Sequence, residues 1–219
     1  MDVLTEAKND NRALAAWEIA SVCVSFLLAA WFVAPMSGGA GWLRVVPLGL
    51  AVGLMIISHR ERGETLHDLG WRRDNFGAAA RLLVLPTLGF AVLFVLLGWR
   101  LGTVGLARDN FAAWALWLPV WALLQQYVLQ GYINRRARFL WGAGWRSIML
   151  TAIVFALLHA PNPGLMAMTF TGGLLWAWVY QRAPNLFALA LSHALAALVL
   201  ARSLGPLLRS LRVGISYFG

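Results

Sequence analysis

Apolar runs long enough to cross a bilayer recur along the whole 219-residue chain, and nearly all of its arginines lie in the short segments between them. A helix needs about 20 apolar residues to span the hydrocarbon layer, fewer when it is enclosed by other helices. Seven candidate spans follow, at 13–34, 43–57, 76–97, 111–133, 147–159, 164–180 and 186–201, the second and fifth being short. Composition agrees: 60% of residues are hydrophobic and 12% charged, whereas soluble domains carry about a quarter charged residues. The expectation is an all-α, polytopic transmembrane bundle of about seven spans, with residues 1–219 forming one membrane domain.

The arginines set a topology. Arg60, Arg62, Arg72 and Arg73 follow the second span, and Arg135, Arg136, Arg138 and Arg146 follow the fourth. Basic loops stay cytoplasmic, so seven spans place both groups and the N-terminus on the cytoplasmic side. The compact chain fits a bacterial inner membrane. Arg202, Arg209 and Arg212 run against this pattern, unless the tail forms one more, interfacial, amphipathic helix. Trp17, Trp42, Trp71, Trp99, Trp141 and Trp145 fall near span ends, where an amphipathic ring suits the headgroup level. Trp114, Trp117, Trp121, Trp176 and Trp178 lie deeper and are expected to pack helices.

The net charge of +9 resides in these flanking segments rather than on one face of a soluble module, which argues against a nucleic-acid partner. Cys23 is the only cysteine, so neither a disulfide framework nor a thiolate metal site is available.

Polar side chains inside a membrane are costly and therefore informative. Gln126, Gln130 and Asn134 recur at every fourth position and share one helical face, with Gln125 about 100° round from Gln126. Such a stripe serves either interhelical hydrogen bonding or a site. His159 ends a span just before Pro161 and Pro163, and His193 lies near the middle of the last one. Two neutral imidazoles with the Gln126 amide oxygen make a candidate site for a divalent metal such as zinc. The alternatives are histidines that only pack, with no cofactor, or ligation of a haem-type pigment. His59 and His67 sit in a charged segment and are expected to face water.

An absence narrows the chemistry further. The last acidic residue is Asp109, so no carboxylate from the second half can act as a general base. The zinc-protease pattern H-E-x-x-H does not occur. Ser192 adjoins His193, but neighbouring helical residues do not face each other, which disfavours a serine nucleophile.

At these positions the chain resembles the CPBP family, which comprises CAAX proteases and bacteriocin-processing enzymes and is also described as glutamic-type intramembrane endopeptidases. The family's three motifs are E-E-x-x-x-R, F-x-x-x-H and H-x-x-x-N. Here they read Gln125-Gln126 with Gln130, Phe155 with His159, and His193 with Ala197. Asn162 and the Gly172-Gly173-Leu174 segment also match the flanks, giving a family-like core at about 111–201. The resemblance implies that His159, His193, Gln125 and Gln126 occupy catalytic positions and that Gln130, Asn134, Phe155 and Asn162 border the pocket. Both glutamates, the arginine and the final asparagine are replaced, however, and an amide cannot accept a proton as a general base does. Losing both signs of charge together leaves the pocket neutral. Two functions are therefore expected: a metal-dependent endopeptidase of hydrophobic or lipidated protein substrates, or a non-catalytic member. The latter would bind a lipid-like molecule or a partner in a membrane complex.

Overall fold

The computed structural model describes residues 3–33, 36, 43, 45–105 and 111–219, and no strand occurs among them. α1 (Val3–Leu28) continues into a π-helical turn, Ala29–Val33, and is followed by α2 (Val45–Glu61) and α3 (Phe76–Arg100). α4 (Phe111–Gln126) passes through a π-helical stretch, Tyr127–Asn134, into α5 (Arg135–Trp141). α6 (Trp145–Leu157), α7 (Pro163–Arg182) and α8 (Leu186–Leu204) complete the bundle. Each of the seven apolar runs is helical over most of its described residues. Asn11–Val33, Phe76–Arg100 and Leu186–Leu204 are long and apolar enough to cross a membrane by themselves. α6 has only 13 residues, about 20 Å at 1.5 Å per residue, and lies against α7 inside the bundle.

Large apolar side chains on the outer surface, such as Leu85 at 78% and Leu116 at 82% exposure, suit contact with lipid and not with water. Trp17, Trp99, Trp141 and Trp145 are exposed as anchors should be. Trp71 departs from that expectation and packs against Tyr127 and Phe187. Trp117 and Trp121 are also exposed, Trp121 beside a cavity. Trp42 and the side chain of Trp114 lie outside the described residues.

Helices α3 and α4 pack along α8, and α6 along α7. Small residues allow the closest approaches. A Cβ on Gly98 would lie 2.4 Å from the Ser203 carbonyl oxygen, and one on Gly173 2.9 Å from the Ala152 Cα. The largest core cluster joins Leu129, Phe155, Trp176, Val179, Tyr180, Leu186 and Leu189 to Leu83 of α3.

The loop between α2 and α3 ties the first half to this core. Gly70 adopts a left-handed φ of 92°, which a side chain would strain, and a Cβ there would meet Tyr180 at 3.2 Å. Its carbonyl accepts from Leu186 N at 2.9 Å, and the Tyr180 hydroxyl donates to Leu69 O at 3.0 Å. Asn185, which caps α8 through Ala188 N, also donates to Arg72 O.

One end of the bundle is ionic. Arg136 is fully buried and meets Glu18 at 3.1 Å and Glu64 at 2.9 Å, while Arg135 meets Glu64 at 2.7 Å and Arg62 meets Glu18 at 2.9 Å. His59 does not face water: it is buried, with Nδ1 2.6 Å from Glu64 Oε2. The carboxylate lies just beyond the end of α2, where the chain turns back on itself. Burial raises the Glu64 carboxyl, but hydrogen bonds from His59, Arg136 and Arg135 outweigh it and hold the group well below the usual carboxylate range. His67, as expected, is exposed.

The tail after α8 corrects the expectation of an interfacial helix. It forms two short 3-10 turns, Arg209–Leu211 and Gly214–Tyr217, with Arg209, Ser210 and Leu211 all left-handed at φ 46°, 52° and 60°. The tail folds back on the bundle. Gly214 N donates to Ala160 O at 2.8 Å, Asn162 Nδ2 donates to Leu208 O and Arg212 O, and Phe218 packs near Trp31.

Candidate functional site

A cavity of about 790 Å³ lies among the helices, bordered by the end of α1, α2, α3, α4 and the three C-terminal helices. Leu211, Val213 and Ile215 of the tail supply one wall. Apolar side chains dominate, and none of the described residues lining it carries an Asp, Glu, Lys or Arg side chain. Its polar groups are few and neutral, chiefly His159, His193, Gln125, Thr87, Ser192 and Tyr127.

The two histidines are held in different ways. His159 follows the last turn of α6, and its Nδ1 lies 2.7 Å from the Phe155 carbonyl four residues back. A carbonyl only accepts, so Nδ1 carries the proton and Nε2 is left with its lone pair. His193 on α8 lies against the Trp176 ring, centroids 4.5 Å apart, and its Nδ1 is 3.3 Å from Gln126 Nε2. In this orientation the amide donates to Nδ1 and the imidazole proton resides on Nε2. The Phe155 ring is near-perpendicular to both imidazoles, with centroids 4.8 Å and 5.6 Å away, so both pack against it.

Ser192 is engaged elsewhere. Trp176 Nε1 donates to its hydroxyl at 3.0 Å and Thr87 Oγ1 lies 2.8 Å away, a link among α3, α7 and α8 in place of a nucleophile.

The glutamine stripe divides. Gln125 lines the cavity, and Gln126 is buried beside His193 with its Oε1 unpartnered. Gln130 and Asn134, expected at the pocket, do not line it. The Gln130 Oε1 accepts from Asn134 Nδ2 at 2.8 Å, and Asn134 Oδ1 accepts from Gln181 Nε2 at 2.9 Å. Gln181 also donates to Ser147, so this branch is an interhelical polar chain linking the π-helical stretch to α6 and α7. Asn162 likewise turns away from the cavity. It caps α7 by accepting from Leu165 N at 3.1 Å and holds the tail with its amide. Phe155, His159 and His193 do meet at the cavity wall.

Two features were missed by sequence reasoning: the tail as a wall, and the buried ionic cluster around His59. The first carried a partial signal, since Leu211, Val213 and Ile215 alternate with period two, which is not the spacing of an amphipathic helix.

Residues 107–199 match the family model for type II CAAX prenyl endopeptidase Rce1-like proteins. That segment is similar to the core of the CPBP-type, Rce1-like family. The apolar helices make the chain an integral membrane protein. No curated protein and no solved structure matches it. The Rce1-like core contains the three positions where the family motifs fall, and the geometry shows what replaces them: a neutral amide, Gln126, faces His193.

The donor set does not suit a divalent metal. Among the described residues no group of three His, Cys, Asp or Glu side chains stands close enough to hold one. His193 Nδ1 already faces the amide nitrogen of Gln126. The positive charge would enter a low-dielectric cavity with no anionic ligand to offset it.

Proposed function

We propose that this Rce1-like protein binds an elongated apolar molecule from the bilayer and does not cleave peptide bonds. The observation that carries the reading is the large apolar cavity whose wall holds two histidines and, among the described residues, no carboxylate. Peptide hydrolysis needs a group that accepts a proton from water, and the nearest equivalents of the family's glutamates here are amides. The carboxylates of the first half that meet the core, Glu18 and Glu64, are committed to arginines in the ionic cluster. A volume of about 790 Å³ lies within the range of roughly 300–1,000 Å³ typical of small-molecule sites. The bilayer is the source of the ligand in this reading, and the membrane is the inner membrane of a bacterium with the N-terminus cytoplasmic. The ionic cluster supports that orientation by bringing the arginines after α2 and after α4 to one end.

Purified protein reconstituted in vesicles is incubated with a prenylated peptide carrying a free C-terminus, with and without added zinc. The expected result is no cleavage, while a radiolabelled long-chain lipid binds saturably. Cleavage that vanishes in the His159→Ala/His193→Ala variant would overturn the reading.

A further inference from the structure

The polar atoms of the cavity specify more than apolar character. His159 presents an Nε2 lone pair, because its Nδ1 proton is donated to Phe155 O. His193 presents an Nε2 proton, because its Nδ1 accepts from Gln126. The two rings pack against the same phenyl group, so an acceptor and a donor stand on one region of a largely apolar wall. A donor and an acceptor that face an apolar cavity gain from a partner there, and a ligand group that both donates and accepts serves both. A hydroxyl does this with one atom.

Charge decides between head groups. No cation among the described lining residues can pair with a carboxylate or a phosphate, and an ionised group placed there would lose its hydration without compensation. The arginines of the ionic cluster are occupied by Glu18 and Glu64. Resting on the ligand-binding reading above, we infer that the cavity selects a neutral lipid with a single hydroxyl head, a long-chain alcohol, over the acid or phosphate of the same chain. The hydroxyl proton goes to His159 Nε2, the hydroxyl oxygen accepts from His193 Nε2, and the chain lies along the apolar walls toward the tail.

The test uses one chain with four ends: oleyl alcohol, oleic acid, oleyl phosphate and the hydrocarbon 9-octadecene. Each competes with radiolabelled oleyl alcohol for the full-length reconstituted protein at about pH 8, where a free carboxylic acid is ionised. The alcohol is expected to bind about tenfold more tightly than each of the other three, the worth of one or two net hydrogen bonds. His159→Phe, which keeps a ring in place, should erase the preference over 9-octadecene. His193→Phe serves as a second variant, and the four-ligand series on the unaltered protein needs neither. Equal or tighter binding of the acid or phosphate would overturn the inference, as would equal binding of 9-octadecene; both outcomes leave the apolar-ligand reading standing. If none of the four binds, that reading falls as well.

Discussion

At the ionic end of the bundle Glu18, Glu64, Arg62, Arg135 and Arg136 are drawn together in ion pairs of 2.7–3.1 Å, whereas among the described residues of the cavity wall the polar groups carry no charge, and His159 and His193 are held there through Nδ1 alone. The first region pairs its charges internally, although His59 Nε2 and Arg62 Nε are buried there without hydrogen-bond partners. The second presents the Nε2 atoms of His159 and His193 to an apolar cavity. The two regions differ in charge and in access: one encloses paired ions, and the other turns neutral polar atoms toward an open apolar space.

The contrast is most severely tested at Arg136. Arg136→Ala leaves Glu18 and Glu64 buried without their shared partner, and thermal unfolding in detergent should show a loss of about 3–5 kcal/mol. A change below about 1 kcal/mol would mean that the cluster is as loosely organised as a surface ion pair.

Acid should act on the same region. Because the folded-state carboxyl of Glu64 is depressed, its stabilisation is full above the ordinary value of 4.5 and is lost as pH falls through the depressed one. Melting temperature is therefore expected to hold down to about pH 4.5 and to decline below it. In Glu64→Gln, less stable throughout, that part of the decline should be missing.

Asn162→Ala removes a helix cap and two hydrogen bonds to the tail, with an expected cost of about 1–2 kcal/mol. Limited proteolysis should then cut first between residues 205 and 219. Unchanged cleavage there would show that apolar contacts alone hold the wall in place.

The smallest effect on stability and a large one on binding are expected together in Ala197→Phe, which projects a ring into the cavity. Melting should shift by the equivalent of less than about 1 kcal/mol, while lipid binding falls at least about tenfold. A stability loss as large as that of Arg136→Ala would mean that the cavity wall is as tightly determined as the ionic cluster.

The helices were legible because each apolar run is bounded by arginine, glycine or proline, and hydropathy alone reports such segments. Phe155, His159, His193 and Gln125 were legible as cavity residues through the family motifs they occupy. The spacing of Gln126, Gln130 and Asn134 correctly placed them on one face, but not what that face meets. Gln181, which engages Asn134, comes from a helix packed against it only in the folded bundle. His59 looked exposed because it lies among charges, yet those charges fold inward as pairs. In the tail, arginines suggested an amphipathic helix, and the period-two alternation that contradicts it covers only three apolar residues.

The contacts of the loop between α2 and α3 reach beyond packing. All residues from Asn110 onward lack a negative side chain, so the arginines of α5 depend on Glu18 and Glu64 from the first half. Leu186 N and the Tyr180 hydroxyl depend on carbonyls at Gly70 and Leu69. The two halves therefore stand to each other as subunits of an obligate heterodimer that share one chain. Severed between α3 and α4 and produced together, they should reassemble in the membrane, whereas the Rce1-like half produced alone should be degraded.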